Sequence, residues 1–289
     1  MKILIIHNIK SGRKSQTKLV ERLKIKLIEK HEIEYFEVFN DDSMRKVFPN
    51  ISRNDLIIIS GGDGTVSFFS SFLIESDKPL LIIPAGSGND FANSLGFQSN
   101  YQKIIDAIEQ FKTTNISTMI VNENKRALTI ACFGFEARVN RLANKLPRFL
   151  GSFKYTAATL FALLGKHYEA LKIENNLFTE TSEYSLAIVA NTPSFGGGLM
   201  ISNKATATDD KLYLILVNKV NKLKLIYLFI LLLRKKHFSR DEFREYEVKQ
   251  LTVDKTKGIL QSQADGERLA DGLINVRIDP FSMKVLSFE

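Results

Sequence analysis

The sequence lacks tryptophan and contains a single cysteine and only four histidines. The lone cysteine, Cys132, cannot form an internal disulfide and fits a reducing compartment. The histidines are scattered without the spacing of metal ligands. They are His7, His31, His167 and His237. We therefore interpret all four histidines as structural or surface residues.

Long apolar runs are also missing. The run Ile3–Ile6 is too short for the apolar region of a signal peptide. The longest run, Leu225–Leu233, falls well short of the roughly 20 residues that a bilayer span needs. We therefore expect a cytoplasmic protein, whose contact with a membrane is at most peripheral and at its inner face.

No long linker rich in Gly, Ser or Pro interrupts the chain, and no internal repeat or low-complexity tract is present. A length of 289 residues exceeds what one hydrophobic core usually serves, so two domains are expected. Lys and Arg number 40 against 32 Asp and Glu, a net charge of +8. This charge favours polyanionic partners, namely nucleic acid, anionic lipid or nucleotide, without choosing among them.

Strands and helices alternate in the first third of the sequence. Short apolar runs at Lys2–His7, Leu56–Ser60 and Leu80–Ile83 predict strands, and leucines spaced by four in residues 15–30 predict an amphipathic helix. Such alternation is typical of a parallel sheet covered by helices. It predicts an α/β domain over residues 1–117.

The pattern changes to strands after this point. Strand-like runs lie at 116–121, 127–133, 168–174, 184–191, 212–218, 246–253, 259–263 and 273–279. Helical stretches interrupt them at 152–166 and 222–235. We predict a β-rich second domain, a sandwich or barrel, over residues 118–279, with residues 280–289 able to return to the first domain.

Three loops rich in small residues follow three predicted strands: Asn8–Gly12, Gly61–Thr65 and Pro84–Ala92. Glycines let a backbone approach phosphates closely, and a helix N-terminus behind such a loop attracts anions. A carboxylate there, Asp63, suits Mg²⁺ binding or proton transfer. The alternative is a tight strand-to-helix turn in which Asp63 caps a helix. Three such loops at one sheet edge favour a phosphate site.

These loops resemble those of the diacylglycerol kinase catalytic-domain family, bacterial lipid kinases related to sphingosine kinases. The family motifs N-x-x-S-G, G-G-D-G-T and P-x-G-[ST]-x-N-D-F all occur here in that order. NAD kinases share G-G-D-G-T, but the third loop separates the two groups. Further similar segments follow co-linearly at Gly134–Ala137, Phe195–Gly198, Thr208–Leu212 and Ala264–Glu267.

The resemblance implies an NAD-kinase-like α/β domain with a parallel sheet, a C-terminal β-sandwich domain and an active site between them. It implies catalytic carboxylates at Asp265 and Glu267, together with Asp63. It also implies a structural Mg²⁺ held by Asp210, with carbonyls near Ala207 and Leu212. The nucleotide-binding residues that it implies are Asn8, Ser11, Gly12, Gly61, Gly62, Asp63, Gly64, Thr65, Gly86, Ser87, Asn89 and Asp90.

The sequence departs from the family at several of these places. Ser67 and Phe68 stand where Asn-Glu is usual, Asn93 replaces an arginine, and Lys211 replaces a glycine. The missing glutamate removes a carboxylate from the nucleotide or metal site. Asp265-Gly266 is also the usual signal of a hairpin turn, the alternative to a catalytic role.

We therefore expect a kinase that uses ATP and Mg²⁺ to phosphorylate a lipid hydroxyl, with no nucleic-acid partner. The alternatives are a degenerate, non-catalytic nucleotide- or lipid-binding homologue and, less favoured, an NAD kinase. Basic and apolar side chains at 138–167 and 222–236 fit either an anionic membrane contact or helices packed on the sandwich. The acceptor lipid, the base among the carboxylates and the oligomeric state, a homodimer included, stay open.

Overall fold

The computed structural model divides the chain into two compact units. The residues outside the description are 12–13, 124, 135–138, 140–141, 144, 147–156, 159–160, 163–166, 259 and 289. The first unit comprises Met1–Ile116 and Phe281–Glu289, and the second comprises Ser117–Pro280. The predicted helix at 152–166 therefore lies largely outside the described residues.

The first unit is built on a parallel sheet. Its strands are β1 (Lys2–Asn8), β2 (Glu32–Val38), β3 (Leu56–Gly61) and β4 (Leu80–Pro84). They pair in the order β2-β1-β3-β4. Every residue of β3 and β4 is buried, which explains their continuous apolar sequences, because helices cover both faces of a parallel sheet. The predicted parallel sheet is confirmed.

Six described helices accompany this sheet. They are α1 (Lys14–Leu27), α2 (Asp41–Arg45), α3 (Phe48–Ile51), α4 (Asp63–Ser76), α5 (Asp90–Ser94) and α6 (Tyr101–Gln110). Helix α1 buries Val20, Leu23 and Leu27 at the spacing of one helix face. Helix α6 begins where the Asn100 side chain accepts a hydrogen bond from the Lys103 N–H.

Phenylalanines hold α3 against α4. The Phe48 ring stacks on Phe72 with centroids 3.6 Å apart and on Phe68 with centroids 5.5 Å apart. Phe69 meets Phe48 edge-on at 5.7 Å. Phe68, which departs from the family pattern, is thus part of an aromatic cluster between two helices. Aromatic packing against Phe48 therefore explains why a phenylalanine stands at position 68.

The second unit is antiparallel. Its strands are β5 (Thr113–Val121), β6 (Lys125–Ala127), β7 (Ile130–Phe133), β8 (Glu169–Asn175), β9 (Thr179–Ala190), β10 (Ser194–Phe195), β11 (Leu199–Met200), β12 (Leu212–Asn218), β13 (Arg244–Val248), β14 (Gln250–Lys255), β15 (Ser262–Ala264), β16 (Glu267–Arg268) and β17 (Ile274–Leu286). The chain enters this unit along β5 and leaves it along β17. Pairing runs β16-β15-β7-β9-β8-β14-β17, and β12 pairs with β9 and β13.

Alternation along the strands places the core of this unit. In β8, Leu171 and Ile173 are buried, whereas Lys172 and Glu174 are exposed. The predicted single run 246–253 is divided into β13 and β14, because β13 pairs with β12 while β14 pairs with β8 and β17. Between β12 and β13 lies helix α7 (Lys222–Leu233). None of the described helices is long and apolar enough to span a membrane.

Candidate nucleotide and acceptor sites

The three glycine-rich loops lie side by side in the first unit. They follow β1, β3 and β4, whose carboxyl ends are Asn8, Gly61 and Pro84. Since β3 pairs with both β1 and β4, these ends share one edge of the sheet. Ligands of open α/β sheets bind at that edge.

A side-chain bond joins the first loop to the second. The Asn8 Nδ2 donates to Thr65 Oγ1 at 2.9 Å. The Asn8 carbonyl accepts from both the N–H and the hydroxyl of Ser11, at 3.1 and 3.0 Å. These bonds give Asn8 a local role in ordering the loops. Gly12, which completes the first predicted loop, lies outside the described residues.

The second and third loops touch backbone to backbone at two glycines. A Cβ added to Gly86 would lie 2.7 Å from the Gly62 Cα and 2.9 Å from Asn89 Oδ1, closer than real Cβ contacts. Asn89 clamps this turn, because its side chain accepts from the Gly86 N–H at 2.7 Å and donates to the Gly86 carbonyl at 2.9 Å. Only glycine allows this approach at either position.

Asp63 also ties these two loops together. Its carboxylate accepts hydrogen bonds from the N–H groups of Asp90, at 3.2 Å, and Phe91, at 3.1 Å. These groups begin α5, whose N-cap residue Asn89 makes no side-chain cap bond. Asp63 therefore stabilises the start of α5, and the capping role considered from the sequence applies to this helix rather than to α4.

The surface beside this framework is open to a ligand. Gly64 is exposed on the first turn of α4, and a Cβ there would meet nothing within 4 Å. Ser87 is likewise exposed on the third loop. The α4 N-terminus brings a positive dipole end and N–H groups to this surface. The edge can therefore take up an anion such as a nucleotide phosphate.

In the second unit, Asp265 and Gly266 form the turn of the β15–β16 hairpin. Their φ angles are 48° and 83°, and Ala264 pairs with Glu267 across the turn. Two positive φ values are typical of a type I′ hairpin turn, in which Asp-Gly is favoured. The hairpin geometry considered from the sequence is thus present. It does not by itself exclude a chemical role for the side chains.

The Asp265 carboxylate is engaged in four hydrogen bonds in a half-buried position. It accepts hydrogen bonds from the N–H groups of Leu128 (2.6 Å), Thr129 (2.9 Å) and Ile130 (3.2 Å), and from the Thr129 hydroxyl (2.5 Å). Burial raises the pKa of Asp265, and these hydrogen bonds counteract part of that rise. Asp265 thus fixes residues 128–130, which lead into β7, to the hairpin.

Glu267 contrasts with Asp265 in its exposure. Its side chain is 63% exposed, and its carboxylate lies 2.7 Å from the Lys125 ammonium. An exposed ion pair of this kind adds little to stability and exchanges readily. Of the two hairpin carboxylates, Glu267 is the one that solvent and solutes can reach.

The predicted metal ligands are engaged with protein groups. The Asp210 carboxylate lies 2.7 Å from the Lys249 ammonium, which lowers the pKa of Asp210. The Ala207 carbonyl accepts from the Ser117 N–H at 2.7 Å, and Leu212 begins β12. Among the described residues, no three His, Cys, Asp or Glu side chains converge on one point. One carboxylate and carbonyl oxygens still suit Mg²⁺, which keeps several waters, if the exposed Lys249 moves away.

Two features of these sites were missed from the sequence. The Asn89 clamp has a weak signal, since asparagine often bonds its own turn. The hydrogen bonds from residues 128–130 to Asp265 have no signal in the local sequence, because about 135 positions separate the partners and only the fold brings them together.

Comparisons with known proteins agree with both units. Residues 2–121 match the diacylglycerol kinase catalytic domain, and residues 129–287 match the YegS C-terminal NAD kinase beta sandwich-like domain. A crystal structure of a diacylglycerol kinase from Bacillus anthracis str. Sterne superposes with a TM-score of 0.76 at 18% identity, covering 99% of this chain and 96% of that chain. This likeness concerns the fold.

Curated relatives resemble this chain in sequence. A diacylglycerol kinase of Mycobacterium tuberculosis is 29% identical over 238 residues, which are 80% of this chain and 76% of the relative. A diacylglycerol kinase of Staphylococcus epidermidis is 28% identical over 221 residues, 75% of this chain and 69% of the relative. With its glycine-loop edge followed by a β-sandwich-like domain, this chain belongs to the lipid kinase family that joins a diacylglycerol kinase catalytic domain to a YegS-type C-terminal domain.

Proposed function

We propose that this chain transfers the γ-phosphate of ATP, in the presence of Mg²⁺, to the hydroxyl of diacylglycerol or a related lipid alcohol. The observation that carries the proposal is the joined edge of three loops, in which Asp63 and the Gly62–Gly86 contact fix the second loop to the third. The names of the curated relatives support a lipid as the acceptor.

The loop edge would act chiefly by positioning. Phosphoryl transfer demands that the phosphates be held in line and that their charge be balanced. The exposed Gly64 leaves room for phosphate oxygens to approach the first turn of α4. The hydrogen bond from Asn8 to Thr65 and the two hydrogen bonds between Asn89 and Gly86 hold the loops in their shape.

Three carboxylates are proposed to serve the reaction, with different tasks. Asp63 and Asp265 each accept several backbone hydrogen bonds and so hold polar segments in place. Glu267 is exposed and carries only an ion pair that can open. It is therefore our candidate for accepting the proton of the acceptor hydroxyl, a task that needs access to the substrate.

Mg²⁺ would neutralise charge on the transferred phosphates. We propose Asp210, with carbonyls at Ala207 and Leu212, as a second, structural position for this ion. The Asp210 carboxylate is not free for a metal ion in this structure, since it pairs with Lys249. A metal ion there competes with a lysine that is itself largely exposed.

A degenerate, non-catalytic homologue is the second candidate. Phe68 favours it, because the residue that would supply a carboxylate in the family pattern instead packs against Phe48. This candidate predicts nucleotide or lipid binding without transfer.

A pair of glycine substitutions separates folding from phosphate binding. We expect Gly64→Val to leave the melting temperature within a few degrees, since its side chain meets open space. The same change should raise the ATP dissociation constant at least about tenfold, because the branched side chain blocks the phosphates. Gly86→Ala, in contrast, should cost about 1–3 kcal/mol of stability through its clash with Gly62. Calorimetry and thermal melts measure both, and unchanged ATP affinity in Gly64→Val would refute the phosphate cradle.

The function itself is tested by supplying ATP labelled at the γ-phosphate with a panel of lipid alcohols, including diacylglycerol and a sphingoid base. We expect label in one extracted lipid only when Mg²⁺ is present. Nucleotide binding without any labelled lipid would support the degenerate alternative instead.

A further inference from the structure

Helix α7 presents two apolar faces, of which only one is covered. Its inner face buries Leu225, Leu228, Leu231 and Leu232. Some of these contacts are to β12, where Val217 packs with Leu228 and Leu231. The helix therefore needs no further apolar surface to stay attached to its unit.

The outer face carries a stripe of large apolar side chains, which we call the α7 stripe. Its members are Leu223, Tyr227, Ile230 and Leu233, exposed by 80, 42, 43 and 44%. Spacings of four, three and three residues place them along one side of the helix. Such a contiguous exposed patch marks an interaction surface more often than a scattered leucine does.

Basic residues border both ends of the stripe. They are Lys222 and Lys224 at its start and Arg234, Lys235 and Lys236 at its end, with no acidic residue between positions 222 and 236. At the start of the stripe, Lys224 forms an ion pair with Glu242 at 2.5 Å, so part of the positive charge there is balanced. Within the described residues, none of the last three side chains pairs with a carboxylate, and all three are exposed. The positive charge of the border is thus concentrated at the C-terminal end of α7, next to an apolar surface.

We propose that the α7 stripe docks on an anionic lipid bilayer, with the helix lying in the plane of the membrane surface. The apolar side chains would enter the boundary between headgroups and acyl chains, while the basic border contacts anionic headgroups. A helix of 12 residues is about 18 Å long, which suits lying on a bilayer and not crossing it.

A second copy of the chain is a poorer occupant of this surface. A parallel pairing of two stripes brings Arg234, Lys235 and Lys236 against the same three cations of the other copy. An antiparallel pairing sets these cations against the start of the other helix, where two lysines stand beside the one carboxylate of Glu242. A bilayer that contains anionic lipid offers the opposite charge together with apolar depth. This inference rests on the proposed function, because docking would bring the chain to its lipid acceptor. Docking itself needs neither nucleotide nor turnover.

The test is co-sedimentation of the full chain with vesicles of phosphatidylcholine alone and of phosphatidylcholine with phosphatidylglycerol. We expect binding to the anionic vesicles only, weakening as salt rises. Leu223→Asn should reduce that binding about tenfold, through loss of inserted apolar area. The pair Arg234→Gln and Lys235→Asn should reduce it about fivefold for each charge removed. Asparagine suits position 235, where φ is 56°.

Matched controls lie in the same unit. Leu177→Ser removes an apolar side chain that is 57% exposed in the turn between β8 and β9, and Lys257→Gln removes an exposed charge elsewhere. Both should bind vesicles like the wild type. Equal binding by the stripe variants, an equal loss in the controls, or a stripe-dependent dimer in solution would each overturn the proposal.

Failure of docking can be told from failure of the proposed function. Transfer of γ-phosphate to a short-chain, water-soluble acceptor requires no vesicle, so the stripe variants should keep it. Loss of vesicle binding together with retained transfer to the soluble acceptor is the result we expect. If vesicle binding stays intact in the stripe variants while no variant transfers phosphate, both the docking surface and the kinase assignment fail.

Discussion

Replacing Asp63 with asparagine should lower kcat for phosphoryl transfer by about a thousandfold. If the proposed function holds, the change removes a negative charge that would help to balance Mg²⁺ beside the phosphates, and charge effects of this kind are worth about 10²–10⁴ in rate. It also weakens one of the two hydrogen bonds that hold the N–H groups of Asp90 and Phe91. Loss of such a cap costs about 1 kcal/mol, so the protein should remain folded.

The matched control is at the other end of the same helix. Asp77 follows α4, is 79% exposed and pairs with Lys284. Its φ of 52° is one that asparagine tolerates, so Asp77→Asn makes the same chemical change without strain. We expect Asp77→Asn to retain full activity. A normal kcat in Asp63→Asn, with both variants folded, would show that Asp63 only caps α5.

The two hairpin carboxylates should separate catalysis from structure. Glu267→Gln is expected to lower kcat about a hundredfold or more, because on our proposal the carboxylate accepts the proton of the acceptor hydroxyl only during the reaction. The melting temperature and the ATP affinity should stay unchanged, because the side chain is exposed. Asp265→Asn should lower both activity and stability. Its amide group would face a backbone N–H that now bonds to a carboxylate oxygen, at a cost of about 2–4 kcal/mol.

Steady-state kinetics with a thermal melt of each variant distinguishes these outcomes. If Glu267→Gln turns over normally, Glu267 does not accept the proton, and the hairpin serves only to fix residues 128–130. Should Asp265→Asn melt like the wild type, the account of its buried hydrogen bonds is wrong. Lys125→Gln provides a further control, since it removes the ion pair of Glu267 but keeps the carboxylate.

Much of this fold follows from local sequence patterns. Buried parallel strands must be apolar throughout, so β1, β3 and β4 are visible as continuous runs, and each ends in a glycine-rich loop. The Gly62–Gly86 contact was less visible, because glycines in a motif indicate a close approach without naming the partner. The division of 246–253 into two strands depends on which neighbours each half pairs with, and pairing between distant segments leaves no local pattern.

The candidate site, too, has features that local sequence predicts and features that depend on distant segments. The residue types in the loops predicted phosphate binding, because small residues and helix starts suit anions wherever they occur. The different environments of Asp265 and Glu267 could not be predicted, although the two residues are only two positions apart. Burial of Asp265 depends on residues 128–130, and exposure of Glu267 depends on its place in a short edge strand.

The most direct test of the account is a single reaction with ATP labelled at the γ-phosphate, Mg²⁺, vesicles that contain diacylglycerol, and NAD in the same tube. After extraction, we predict label in the lipid phase with wild-type protein, loss of nearly all of it with Asp63→Asn, and none in NAD. Label in NAD would mean that the chain is an NAD kinase. Nucleotide binding without label in either acceptor would contradict the central claim and leave a binding protein that has kept the loops of a kinase.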